Sequence, residues 1–170
     1  MLKIIKKRKI YGLQDLEKLQ IMFTKRKSIK QVEEGKDLAP KFDKLGLIPV
    51  ITTDYKNGNV LMHGYMNREA LKKTLQTKEV HYWSRSRKVI WHKGSNSGFI
   101  QKVKEIRIDD DQDAIWVKVS TKASCHVGYK SCFYRSVSMK KNKIKIIFKE
   151  KKKIFNPKKV YKGLPNPTKI

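Results

Sequence analysis

Four carboxylates fall within five residues at Asp109-Asp110-Asp111-Gln112-Asp113, between two segments that read as strands. Neighbouring Asp side chains repel one another, and each resists being left ionised and unpaired away from water. Such a stretch must therefore face solvent or meet a counter-charge. A divalent cation is the simplest counter-charge, because hard oxygen ligands suit Mg²⁺ or Mn²⁺. The preceding Val103-Lys104-Glu105-Ile106-Arg107-Ile108 alternates as a half-buried strand does, and Ala114-Ile115-Trp116-Val117 resumes an apolar run. If the strand continues through the acidic residues, Asp109, Asp111 and Asp113 share one face and Asp110 takes the other. That geometry predicts two sites on opposite sides of one strand.

The chain has two cysteines, Cys125 and Cys132, with His126 beside the first and Gly128 permitting a turn between them. In a cytosolic setting, a Cys pair with an adjacent His reads as a soft-metal site rather than a disulfide. Two thiols are a less specific signal than two C-x-x-C pairs. Two buried free thiols and a solvated acidic turn are the alternative.

The neighbouring residues narrow that choice. Tyr82-Trp83-Ser84-Arg85-Ser86-Arg87, Trp91-His92-Lys93-Gly94-Ser95-Asn96-Ser97-Gly98, the Asp cluster, Ala123-Ser124-Cys125-His126-Val127-Gly128 and Ser131-Cys132-Phe133-Tyr134-Arg135 follow in this order. The series resembles the phosphoribosyl-AMP cyclohydrolase family, enzymes of histidine biosynthesis that hydrolytically open the adenine ring of phosphoribosyl-AMP. The resemblance runs from about Phe42 to Val137.

It implies an intertwined homodimer with Zn²⁺ held by three cysteines shared across the interface. Cys125 and Cys132 match two of these, and Asp110 stands where the family has the third. An Asp-Cys-Cys set still leaves one position for water, but it is harder and less zinc-selective than three thiolates. Zinc lowers the pKa of bound water to about 7, which suits attack on an amidine carbon. The resemblance assigns Asp109, Asp111 and Asp113 to Mg²⁺. Beside a zinc ligand, His126 is the candidate general acid/base, since imidazole titrates near neutrality. Arg85, Arg87, Lys93 and Ser95 are the candidate substrate contacts, Arg forks and a hydroxyl being suited to phosphate and ribose. Trp83 and Trp91 read as packed aromatics, or as a platform for adenine. His63, His81 and His92 read as structural. Phe99 replaces a His common in relatives, which puts one polar contact in doubt.

The formal charge of +26 raises nucleic acid as a partner. Yet the cations are 34 Lys and 7 Arg, spread along most of the chain. Arg is the usual choice for bidentate recognition, so a solvated, highly charged surface is the preferred reading. No apolar run approaches the ~20 residues of a membrane span, and the basic N-terminus has no signal-peptide core behind it. The expectation is a cytoplasmic, monofunctional enzyme. A degenerate, inactive relative and a basic nucleic-acid-binding protein are the alternatives.

Three segments are expected: a basic leader with peripheral helices over 1–41, the cyclohydrolase domain over 42–138, and a lysine-rich edge strand and tail over 139–170. Leu13, Leu16, Leu19 and Met22 predict one amphipathic helix over 12–23, and Ser28 to Gln31 has capping-box spacing. Strands are expected at 47–52, 59–63, 80–84, 89–92, 100–108, 114–119 and 133–138, with a helix over 68–77 capped by Asn67. Asn57-Gly58 marks a hairpin turn. The fold class is α+β, strand-rich and mostly antiparallel, with one or two helices.

Overall fold

The computed structural model describes residues 23–164. The helix expected over 12–23, the basic leader and the prolines at 165 and 167 lie at or beyond its limits. The elements are α1 (Ile29–Glu33), β1 (Leu47–Asp54), β2 (Val60–Asn67), α2 (Arg68–Thr77), β3 (His81–Ser84), β4 (Val89–His92), β5 (Lys102–Ile108), β6 (Ile115–Ser120), β7 (Arg135–Lys140), β8 (Lys143–Phe148) and α3 (Pro157–Val160). The fold is α+β and strand-rich, with three short helices among the described residues.

β1 and β2 form a hairpin closed at Asn57-Gly58. Gly58 takes a φ of +73°, its N–H donates to Asp54 O, and Asn57 Oδ1 accepts from Asn59 N. β1 then pairs in parallel with β6, and β6 in antiparallel with β5, giving the order β2-β1-β6-β5. The parallel pair fills the middle of the sheet, where apolar residues are covered on both faces. Ile48 and Val50 of β1 and Val117 and Val119 of β6 are accordingly sealed from solvent.

Asn67 starts α2 by accepting from Ala70 N, and Ala70, Leu71 and Thr74 face the core. The Thr74 hydroxyl accepts from His81 N, locking the helix to the β3–β4 hairpin. A polar chain crosses the core: Tyr82 donates to Gln101 Oε1 at 2.8 Å, and Gln101 Nε2 donates to Ser124 Oγ at 2.9 Å. Tyr82 has one proton and spends it on Gln101, so its 2.6 Å contact with Thr52 is donated by the threonine.

β7 and β8 pair only with each other. Cross-strand partners share a face, so Val137 and Ile146, and Met139 and Ile144, lie together with Phe148. All five side chains are exposed, Val137 by 74% and Ile144 by 72%. The opposite face carries Ser136, Ser138, Lys140, Lys143, Lys145 and the exposed Ile147.

Candidate active site

A cavity of about 500 Å³ opens between the β2 strand, the β3–β4 hairpin and the loop from Ser124 to Cys132. Arg85, Arg87, Lys93, His126 and Cys132 all line it, so five of the residues singled out in the sequence share one chamber. Trp83 and Trp91 line it too, between packing and platform. Arg85 lies over the Tyr65 ring at 4.1 Å, while Arg87 lies over Trp91 and donates through Nε to Ser84 Oγ. Both guanidiniums are thus held by aromatic faces with donors left over for an anion.

Lys93 is the unusual cation. It is 4% exposed and sits 5.3 Å from the Trp91 ring centre. Burial lowers its pKa, and the nearby Cys132 and Cys125 oppose that shift. Its ammonium therefore lies close enough to the thiol pair for the two to interact electrostatically.

The two cysteines are free thiols, hydrogen-bonded to each other, with Cys125 buried and Cys132 exposed. A hydrogen bond from Cys132 brings the Cys125 thiol down to about 6 against the opposing effect of burial, with two backbone N–H groups and Lys93 assisting. The same hydrogen bond raises Cys132, because one thiolate discourages a second. Burial, then Lys93, lowers the pKa of His126, favouring neutral imidazole.

The loop is held from many directions. Cys132 N donates to Leu61 O, and Ser131 Oγ donates to Val60 O at 2.7 Å. Lys130 pairs with the nearly buried Asp54 at 2.7 Å, at the end of β1. Burial opposes ionisation of Asp54, but Lys130 and the Lys56 N–H outweigh it, and the carboxyl is held below its usual pKa. Glu150 accepts from Lys130 N and Ser131 N with its two carboxylate oxygens. Tyr129 and Tyr134 stack at 4.1 Å and cover Cys125.

The acidic stretch differs from the strand expected for it. β5 stops at Ile108 and β6 starts at Ile115, and the Asp residues form the turn between them. Asp109 Oδ1 accepts from Asp113 N and Ala114 N, and Gln112 adopts a φ of +58°, which ends the alternation. The two-sided arrangement is therefore corrected: Asp109, Asp110 and Asp111 bring carboxylate oxygens within 4.8 Å of one another. Asp113 instead shares Lys41 with Asp111, at 3.2 and 3.1 Å. Among the described residues, no third His, Cys, Asp or Glu of the same chain forms such a group with the two thiols, so Asp110 does not join them within one chain.

Ser95 is exposed, and Asn96 and Ser97 line the cavity in its place. His63, Ser124, Tyr161 and Leu164, none of them a candidate site residue from sequence, also stand at the walls. The sequence reading assigned His63, His81 and His92 structural places. The last two stack at 4.4 Å, with Glu79 2.8 Å from each, while His63 packs edge-on against Tyr65. Glu150 carried a signal that was available, as the single acid among 12 Lys over 139–170. Tyr161 and Leu164 carried none, since nothing local marks which distant loop a tail will meet.

The family model for phosphoribosyl-AMP cyclohydrolase matches residues 62–134, a span that contains every candidate metal ligand. Curated relatives of that name include one from Nitrobacter winogradskyi, 46% identical over 139 residues, covering 81% of this chain and 96% of the relative. Another, from Rhodopseudomonas palustris, is 48% identical over 138 residues, covering 79% and 94%. A third, from Bradyrhizobium diazoefficiens, is 46% identical over 133 residues, covering 78% and 95%. With 46–48% identity over most of this chain and nearly all of each relative, the chain belongs to the phosphoribosyl-AMP cyclohydrolase family.

Proposed function

We propose that this chain is a hydrolase of histidine biosynthesis that opens the adenine ring of phosphoribosyl-AMP at the N1–C6 bond, working as a metal-dependent homodimer in the cytoplasm. The observation that carries the reading is the shared chamber of Arg85, Arg87, Lys93, His126 and Cys132. It sets anion-binding groups beside a polarised thiol pair and an imidazole, as hydrolysis of a phosphorylated nucleotide requires.

The donor sets fit two different metals. Two thiols in mutual contact, one of them readily ionised, suit Zn²⁺. Clustered carboxylates in an exposed turn suit Mg²⁺. When bound, zinc supplies a water ligand acidified toward neutrality, and magnesium supplies a hard cation for phosphoryl oxygens. Cys125 and Cys132 would hold the zinc, with Asp110 of the partner subunit as the third ligand. Asp109 and Asp111, with Asp113 released from Lys41, would hold the magnesium.

The chain's own groups then bind substrate and move the proton. Arg85 and Arg87 receive the phosphoryl groups, and Asn96 or Ser97 stands where Ser95 was expected to meet ribose or phosphate. As water oxygen bonds to C6 and N1–C6 breaks, His126 takes the water proton and returns it to N1. Lys93 offsets the negative charge of the thiols without solvent competing for it.

Two features support the dimer. The thiol pair lacks a third ligand from its own chain among the described residues. The exposed apolar face of β7–β8 also gives a second copy something to cover. No helix among the described residues is long and apolar enough to cross a membrane.

Metal content and ring-opening absorbance of wild type and Asp110→Cys test the reading. Wild type should hold about one zinc per chain and turn over. Asp110→Cys should retain zinc through stronger chelator challenge, because thiolate replaces carboxylate. Normal turnover by wild type with no metal at Cys125 and Cys132 would remove zinc from the mechanism, and a folded, metal-loaded but inert wild type would mark a degenerate relative.

A further inference from the structure

The chain after β8 does not trail away. Lys149 N and Glu150 N both donate to Tyr134 O, and Ile154 N donates to Gly128 O at 2.7 Å. Gly128 has a φ of +104°, and a Cβ there would stand 2.5 Å from Phe155 O, so the backbone of this segment rests directly on the loop joining the two cysteines. Only glycine allows both that φ and that approach.

Phe155 packs against Phe99 with the rings tilted at 32° and their centres 4.8 Å apart, and meets the Tyr161 ring edge-on at 6.1 Å. Asn156 caps the short α3 turn between Phe155 and Tyr161, with Pro157 at its start. The result is a strap, Glu150–Leu164, fixed at one end to the thiol loop and at its middle to the Gly94–Phe99 loop. Its far end delivers Tyr161 and Leu164 to the cavity wall.

We infer that this strap is part of the substrate site, with Tyr161 a direct contact for the purine base and Phe155, seated on Phe99, its positioning residue. The inference rests on the cyclohydrolase reading for the identity of the nucleotide. It adds residues outside 62–134, the span matched by the family model. Tyr161 lines the same chamber as His126 and Cys132, and its uncharged ring is suited to the base, whereas Arg85 and Arg87 are suited to the phosphates. An aromatic ring serves there because a purine offers a π-face that stacks on it. Phe99 follows from the same arrangement: a charged or hydrated His at this position would be a poor seat for the Phe155 ring.

The test is the KM and kcat of the full chain with Tyr161→Ala, Phe155→Ala and, as an exposed neighbour, Lys162→Ala. Tyr161→Ala should raise KM about tenfold, with kcat within about twofold and Tm unchanged, the loss of one base stack being of that size. Phe155→Ala should raise KM in the same direction, and Lys162→Ala should match wild type. A wild-type KM for Tyr161→Ala, or a lower Tm with KM unchanged, overturns the inference, the second because the strap would then be only structural. Binding of AMP by calorimetry separates the two readings. If wild type does not open phosphoribosyl-AMP, about tenfold weaker AMP binding by Tyr161→Ala still supports the contact, and equal binding removes it.

Discussion

The acidic turn and the thiol loop are both candidate metal centres, yet they are built in opposite ways. The turn keeps its carboxylates near solvent: Asp109 closes it by accepting from Asp113 N and Ala114 N, and only the Gln112 amide is buried, against earlier chain. The loop is held by β1 through Asp54, by β2 through Val60 and Leu61, by Gln101 through Ser124, and by Glu150 from beyond β8. Carboxylates remain hydrated and ionised in a turn, where a hard cation can collect them without a dry scaffold. Two thiols that share one negative charge need a nearby counter-charge, and Lys93 brings it from distant chain, while Tyr129 and Tyr134 cover Cys125 and leave Cys132 exposed.

The contrast can be broken most directly at Cys132. Cys132→Ala should cut turnover by at least about a thousandfold and bring zinc to background, since no spare ligand stands by among the described residues. Zinc retained at wild-type stoichiometry would mean that the thiol pair is not the binding locus. Asp111→Asn, in the exposed turn, should have a smaller effect, about tenfold in kcat/KM, largely recovered by raising magnesium. A defect that added Mg²⁺ leaves untouched would show that the turn is as rigidly committed as the loop.

The smallest effect on chemistry and the clearest on stability should come from Asp54→Asn, far from the reacting atoms. Asn keeps an acceptor for Lys56 N but leaves Lys130 without its partner, at a cost of about 2 kcal/mol near neutral pH by chemical denaturation. Because the folded-state pKa of Asp54 is depressed, its contribution is complete above the ordinary carboxylate value of about 3.9 and is lost as pH falls below it. Wild type and variant should therefore converge in acid; an equal gap at every pH would assign the loss to packing rather than charge.

What was legible in the sequence was local. Asn57-Gly58 specifies its turn through backbone sterics, Asn67 caps α2 through one side-chain bond, and the strands followed period-2 patterning to within a few residues at most ends. The acidic stretch misled because alternation was extended across residues whose side chains prefer to bond the nearby backbone. Gln112 could not have been singled out. Its buried amide accepts from Ala39 N and donates to Val32 O and Asp37 O, tying the turn to chain more than 70 residues earlier. Lys41 on Asp111, Lys130 on Asp54 and Phe155 on Phe99 are likewise pairings that only the folded topology creates. Motif residues reported which groups do the chemistry, and long-range contacts decided where they stand.

The parallel ladder between β1 and β6 joins Val50 to Ile115, and the enclosed chain contains α2, β3, β4, β5 and most of the cavity. Closing a ring of that length has an entropic cost that is met before either strand gains from it. The walls of the chamber are consequently brought together by a strand pairing of long sequence separation. A fragment beginning at residue 62, where the match to the family model starts, would carry nearly every reactive group and yet lack the strand that gathers them.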